Sequence, residues 1–269
     1  MTDLSFDRDF DPAHGEAVEI VPGIRRLTAP NPGPLTFRGT NSYLVGTGSL
    51  VVVDPGPEDG GHLAALLAAC GGRPVGHILV THTHRDHSPG AEALRRATGA
   101  ELLAAGPHRF ARPPRPGETG IEAAADLAFR PDRTLADGER LVTDAATFRV
   151  IATPGHTGNH LSFAIEGSDH LLSGDHVMGW STTVVAPPDG AMAEYMASLA
   201  RIAAAPERRY LPGHGGTITD GPAFAAGLAA HRRARRAAIL DAVTAGAETA
   251  AAVVERVYAG LSPQLVPAA

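Results

Sequence analysis

Apolar residues along this chain recur at two periods, and the switches between them mark the elements. NSYLVGTGSLVVVDPGP (41–57) predicts a hairpin: an apolar strand, a Gly-Thr-Gly turn, then the buried strand Leu50–Val53. GGHLAALLAACGG follows as a helix closed by Gly71. HILVTH (77–82) predicts another buried strand, and SPGAEALRRATG a helix with Ser88 as N-cap and Pro89 at its first position. ELLAAG, ATFRVIATPGH and HLSFAIEGSDHLLSGDH supply further strands, while GPHRFARPPRPGE (106–118) is too rich in proline for regular structure and predicts a surface loop. After Gly215 the character changes. Residues 221–245 and 247–259 are helix-prone, and the chain ends in LSPQLVPAA. The reading is an α/β domain over 1–215 followed by a helical region over 216–269, with no internal repeat.

Composition narrows the class. Of 269 residues, 43% are hydrophobic and 19% charged, the profile of a globular protein with one large core. The single cysteine, Cys70, excludes an intrachain disulfide and a Cys-rich zinc site, and its place at the end of an apolar run marks it as packing. The net charge of −6 provides no global basic field for nucleic acid, and every fixed cation is arginine. The acidic N-terminus lacks the layout of a secretory signal, and no run approaches the ~20 apolar residues of a membrane helix. A cytoplasmic protein without a membrane partner is expected.

The candidate chemistry is concentrated in THTHRDHSPG (81–90). His82, His84, Asp86 and His87 fall where a strand runs into a helix. Alternation sets His82 and His84 on one side and lets Asp86 and His87 reach a neighbouring position, so one short segment can load two ions. Neutral imidazole and carboxylate are ligands that zinc favours. His156, Asp175 and His214 each follow a strand-like run and a glycine, which lets the backbone turn closely around an ion. A single buried histidine is usually a core group; five histidines and two aspartates in this order are not.

His-x-His-x-Asp-His, followed by a later His, an Asp and a final His, resembles the pattern of the metallo-β-lactamase-fold superfamily over nearly the whole chain. The resemblance implies an αββα sandwich with two metals at one sheet edge. His82, His84 and His156 would hold one metal, Asp86, His87 and His214 the other, and Asp175 would bridge. Two Zn2+ are expected, and Mn2+ or Fe2+ fits the same donors. Asp54, in VVVDPGP, matches an acidic residue that orients a ligand imidazole; its other reading is a turn-initiating Asp. Water bridging two cations is brought towards ionisation at neutral pH, with Asp86 placed to aim it and Asp175 to hold both ions.

His84 stands where redox di-iron members resemble His-x-Glu, and Asp175 where true β-lactamases have Cys or Ser. Only 38 residues separate Asp175 from His214, too few for the domain inserted in large nucleic-acid-processing members. NPGPLTFRGTNSYLVG, TPGHTGNHLSF, SGDHVMGWSTTVV and AHRRARRAAIL are similar to the lactamase-beta-like endoribonucleases and their bacterial relatives. That implies a partial winged-helix-like C-terminal region and single-stranded RNA as substrate, with Asn41 beside a flap over the cleft and His160 as a second-layer or substrate contact. Arg109, Phe110, Arg112 and Arg115 would offer charge and stacking to a strand, or form a solvated loop. The alternatives are a glyoxalase II-like thioesterase, with Arg232–Arg236 holding an anionic small-molecule substrate, and a non-catalytic metal-stabilised binding module. A homo-oligomer is compatible with all three.

Overall fold

The computed structural model of the protein describes residues 4–115 and 124–258. The end of the predicted 106–118 loop, residue 259 of the predicted last helix and the LSPQLVPAA segment lie outside the described residues.

Twelve strands and five helices follow one another among the described residues. The first sheet holds β1 (Val18–Val21), β2 (Ile24–Thr28), β3 (Asn41–Val45), β4 (Leu50–Val53), β5 (Val75–Leu79), β6 (Glu101–Ala104) and β7 (Arg133–Thr134), side by side in sequence order. β1 to β4 pair antiparallel; β4, β5 and β6 pair parallel, with α1 (Gly60–Cys70) and α2 (Gly90–Thr98) as their crossovers. The second sheet runs β12 (Arg209–Pro212), β11 (His170–Gly174), β10 (Leu161–Ile165), β9 (Thr147–Ala152), β8 (Arg140–Val142). α3 (Met192–Ala203) links β11 to its parallel neighbour β12, and α4 (Gly221–Thr244) and α5 (Ala250–Val257) close the chain.

Three apolar clusters make this an αββα sandwich. Between the sheets lie Val51, Val53, Leu79 and Leu103 against Phe148, Phe163, Leu172 and Leu211. The opposite face of β4, Leu50 and Val52, packs with Leu66, Cys70 and Leu94 from α1 and α2. Outside the second sheet, Ile151, Leu171 and Tyr210 meet Tyr195, Leu199 and Ile202 of α3 and Leu228 of α4. Strands covered on both faces read as unbroken apolar runs rather than alternating ones. The expected sandwich, hairpin and buried Cys70 are all present.

Three local readings need correction. β5 ends at Leu79, so Thr81 and His82 are loop residues; the Thr81 N–H, a strand donor by expectation, goes to Asp54 Oδ1 at 2.7 Å. α2 begins at Gly90 with Pro89 as N-cap, because the Ser88 hydroxyl donates to Asp126 Oδ2 at 2.8 Å instead of capping. α3 was not anticipated, although Tyr195, Leu199 and Ile202 carry a helical spacing of four and three on its buried face.

Phe163 is fully buried between the sheets, so Phe163→Ala should lower unfolding stability by about 3–5 kcal/mol, whereas Val142→Ala at an exposed position should stay within about 0.5 kcal/mol. Denaturant midpoints of the two variants measure this; similar shifts would contradict the packing.

Candidate metal centre

All seven candidate ligands sit on loops at one edge of the sandwich. His82, His84, Asp86 and His87 lie between β5 and α2, His156 between β9 and β10, and Asp175 and His214 directly after β11 and β12. The backbone before them must pass unusually close. A Cβ on Gly213 would stand 2.3 Å from Asp175 Oδ1 and 2.7 Å from His87 Cε1. Gly174 has φ +51°, where its own Cβ would meet His160 Nε2 at 2.6 Å.

His82, His84 and His156 converge on one point. His84 Nδ1 is 3.1 Å from His82 Nε2 and 3.0 Å from His156 Nε2. Tautomers follow from the partners of the outer nitrogens. His84 Nε2 faces Asp189 Oδ2 at 2.9 Å and His156 Nδ1 faces the Val184 carbonyl at 2.7 Å, both acceptors only, so those nitrogens carry the protons. Thr81 Oγ1 gives its hydrogen to Asp54 Oδ2 and so accepts from His82 Nδ1 at 3.0 Å. Three lone pairs therefore face one another. Ligands on a tetrahedral zinc at about 2.0–2.1 Å stand about 3.3 Å apart, near the spacing here. Burial and the neighbouring rings keep His82 well below the ordinary imidazole range, and burial and His84 bring His156 to about 4.

Asp86, His87 and His214 form a second group, with Asp175 between the two. His87 Nδ1 donates to Asp54 Oδ2 at 3.0 Å and His214 Nδ1 to the Gly39 carbonyl at 3.1 Å. Their Nε2 atoms lie 3.2 Å from Asp86 Oδ2; His214 Nε2 is also 3.2 Å from Asp175 Oδ2, and His87 Nε2 is 3.4 Å from Asp175 Oδ1. Asp175 Oδ2 is 3.7 Å from His156 Nε2 of the first group. His87 Nε2 and Asp175 Oδ1 are buried without a hydrogen-bond partner. Burial opposes the charge, yet the two carboxylates lift the His214 imidazole to about 10 and His87 well above its usual range. Converging lone pairs, orphaned polar atoms and two carboxylates are the donor set of two divalent cations, so the residues fit a dinuclear centre.

Asp54 braces both groups: His87 directly and His82 through Thr81. It does so with φ +50°, a strained conformation for a non-glycine, fixed by its bonds to Thr81 and His87. Asn41 is buried and its amide donates to the Pro212 and Gly215 carbonyls, so it fastens the His214 loop; no side-chain donor remains for substrate. His160 is likewise buried, with Nδ1 on Thr153 Oγ1 and Nε2 accepting from the Asp175 N–H at 3.2 Å. The expected contact with a substrate oxyanion finds no free nitrogen there. Arg109 donates to the Gly158 carbonyl, which ties down part of the basic loop.

Two residues escaped the sequence reading. Asp189 accepts from His84 and, at 2.8 Å, faces His108 Nε2; burial opposes its charge, but these two rings hold its carboxyl far below the ordinary range. Thr81 relays Asp54 to His82. Asp189 sits in a Pro-Pro-Asp-Gly stretch that reads as a turn, and nothing in its local spacing ties it to His84. Thr81 was visible as the residue opening the His motif.

The sequence profile of the metallo-beta-lactamase superfamily matches residues 35–214. The lactamase-like protein vrtG of Penicillium aethiopicum is 34% identical over 79% of this chain and 63% of its own length. An atrochrysone carboxyl ACP thioesterase of a Cryptosporiopsis species is 28% identical over 84% and 64%. A solved metallo-beta-lactamase family protein from Thermus thermophilus superposes with TM-score 0.74 at 28% identity, covering 93% of this chain and 91% of that one. The chain thus belongs to the metallo-beta-lactamase superfamily, and it spans slightly under two thirds of the length of the curated relatives just described.

Asp54→Ala should weaken binding of both metals by roughly 10–100-fold, because it releases an imidazole in each group, while Asp175→Ala should abolish the paired site. Chelator competition measures both; a loss confined to one metal in Asp54→Ala would contradict the bracing. In the metal-free protein the His214 pKa is raised from 6.5 to about 10, so its contribution to stability is full below pH 6.5 and is lost as pH rises through 10. Cation uptake at pH 8 must displace that proton. A weakly buffered titration should acidify on loading; no proton release would overturn this charge assignment.

Proposed function

We propose that the protein is a dinuclear zinc hydrolase acting on a thioester. The observation that carries this reading is the cleft over the candidate ligands: a cavity of about 300 Å³ with Leu35, Ala124, Met178 and Val184 as apolar walls and the Asp86, Asp175 and His156 side chains at its base. An acyl group fits such walls, and its carbonyl would lie against the donor set. The named thioesterase among the relatives supports the same reading.

Zinc ions bound there would activate a water and polarise the carbonyl. The chain's residues do the rest. Asp86, whose side chain is 23% exposed, is the carboxylate open to the cleft; it is held by the Thr40 hydroxyl at 3.1 Å and can take a proton from the attacking water. The water oxygen bonds to the carbonyl carbon, the carbon–sulfur bond breaks, and the proton passes to the departing thiolate. The products are a thiol and a carboxylic acid, which gives up the water's second proton to solvent and leaves as the carboxylate. Asp54 and Asp189 hold the imidazoles still during this exchange, so no reorganisation is needed as charge develops.

Single-stranded RNA is the competing substrate. Arg85, exposed at the cleft, favours it, but a strand needs a track of cations, and Arg109 of the 109–115 loop is engaged with Gly158. Zinc-loaded protein offered S-lactoylglutathione, a medium-chain acyl thioester and single-stranded RNA in parallel should cleave at least one thioester, lose that activity on chelation and regain it with zinc. RNA cleavage without thioester turnover would overturn the proposal.

A further inference from the structure

Beside the metal cleft lies a second cavity, of about 430 Å³. The two share Leu35, Met178 and Val184 as wall residues, so they adjoin. The segment Thr183–Val184 separates them. On one side the Val184 carbonyl accepts from His156 and the Thr183 hydroxyl donates to the Asp175 carbonyl; on the other, both residues line the second cavity.

Its walls are of two kinds. Trp180, Val185, Met192 and Ile239 are apolar, and Arg8, Arg232, Arg235 and Arg236 are cations. In a chain of net charge −6, several arginines elsewhere meet carboxylates, as Arg95 meets Glu92 and Asp132, Arg140 meets Glu166 and Arg149 meets Glu207, while others, such as Arg25, Arg73 and Arg130, rest on backbone carbonyls. Here none meets a carboxylate. Among the described residues no carboxylate lies within 4.0 Å of these four guanidinium groups. Arg235 donates to the Val257 carbonyl and lies over the Tyr258 ring, and Arg232 donates to the Thr183 carbonyl. Arg232 Nε and Trp180 Nε1 remain buried donors without an acceptor. Unmatched cations repel one another and focus a positive potential into a concave site, which an anion relieves by charge-assisted hydrogen bonds. The apolar wall, in turn, favours hydrocarbon.

We propose that this cavity binds the far end of the substrate: a hydrocarbon body terminating in a carboxylate or phosphate, whose scissile carbonyl lies at the metal centre. The placing of the carbonyl rests on the hydrolase reading; the recognition of the anion does not. Specificity for an anionic amphiphile is thus set outside the metal centre, by α4 and the N-terminal segment.

Trp180 is the sole tryptophan and lines the cavity, so its fluorescence reports binding without turnover. Zinc-loaded protein is titrated with octanoate, octyl phosphate and neutral octanamide below micellar concentrations. At least one anion should saturate the signal and bind tenfold or more tightly than the amide, and whichever anion does so identifies carboxylate or phosphate. Arg235→Gln with Arg236→Gln should weaken that anion at least tenfold and leave the amide unchanged, which a carboxylate bound directly to zinc would not do. If the double variant melts early, Arg8→Gln with Arg236→Gln, both exposed, replaces it. Equal binding of anion and amide, or an unchanged response in a folded variant, would overturn the proposal. In parallel, an aryl thioester of adipic acid should be cleaved with about tenfold higher kcat/KM than its monomethyl ester, a preference the variant loses. Arginine-dependent anion binding with neither thioester cleaved would sink the hydrolase reading and leave the cavity assigned; cleavage with no preference for charge would do the reverse.

Discussion

Lone pairs on three imidazoles, brought within about 3 Å of one another, repel unless a cation stands between them. His82, His84 and His156 are held in that arrangement, and beside them two carboxylates crowd His87 and His214. Each ring is fixed from behind by an acceptor that dictates which nitrogen is protonated: Asp189, Val184, Asp54, Gly39, and Thr81 acting for Asp54. The rest of the molecule is arranged so that those acceptors cannot move away.

That demand explains the rigidity at this edge of the sandwich. Asn41, at the start of β3 in the first sheet, grips the backbone after β12 in the second, and the Tyr43 hydroxyl adds a bond to the Pro212 carbonyl at 2.8 Å. The two layers are thereby locked where their loops meet. A buried amide with all its donors engaged holds better than apolar contact alone, because releasing it strands polar groups away from water. Strain at Asp54 is tolerated for the same reason: three bonds to its carboxylate over-determine its backbone.

The layers and the candidate ligands were legible in the sequence for different reasons. Strands such as Leu50–Val53 announce themselves because both faces are dry, and the His motif does so because no packing role needs four such groups in six residues. α3 was harder to see, since Ala, Met and Ser dilute its apolar stripe and its N-cap, Ala191, makes no side-chain bond. Asp189 could not be read at all: it lies 105 residues from His84, and only the folded chain brings them together. Asn41 and His160 stand out in the sequence beside the candidate ligands, and their burial and hydrogen bonds favour bracing over substrate contact. Local pattern reports composition and period; it does not report which long-range partner a polar group will find.

The division of the candidate ligands between two layers also sets a clock. His214 follows His87 by 127 residues, so at about 5–20 residues per second a ribosome delivers it some 6–25 s after the first four. During that interval the nascent chain offers only part of a coordination shell, and any ion it captures is held weakly and can leave. The second layer must dock before either ion is enclosed. A metal loaded at this centre would, on this schedule, be chosen late, by a nearly finished protein whose donor geometry is already set, rather than by a chain folding around the first ion to arrive.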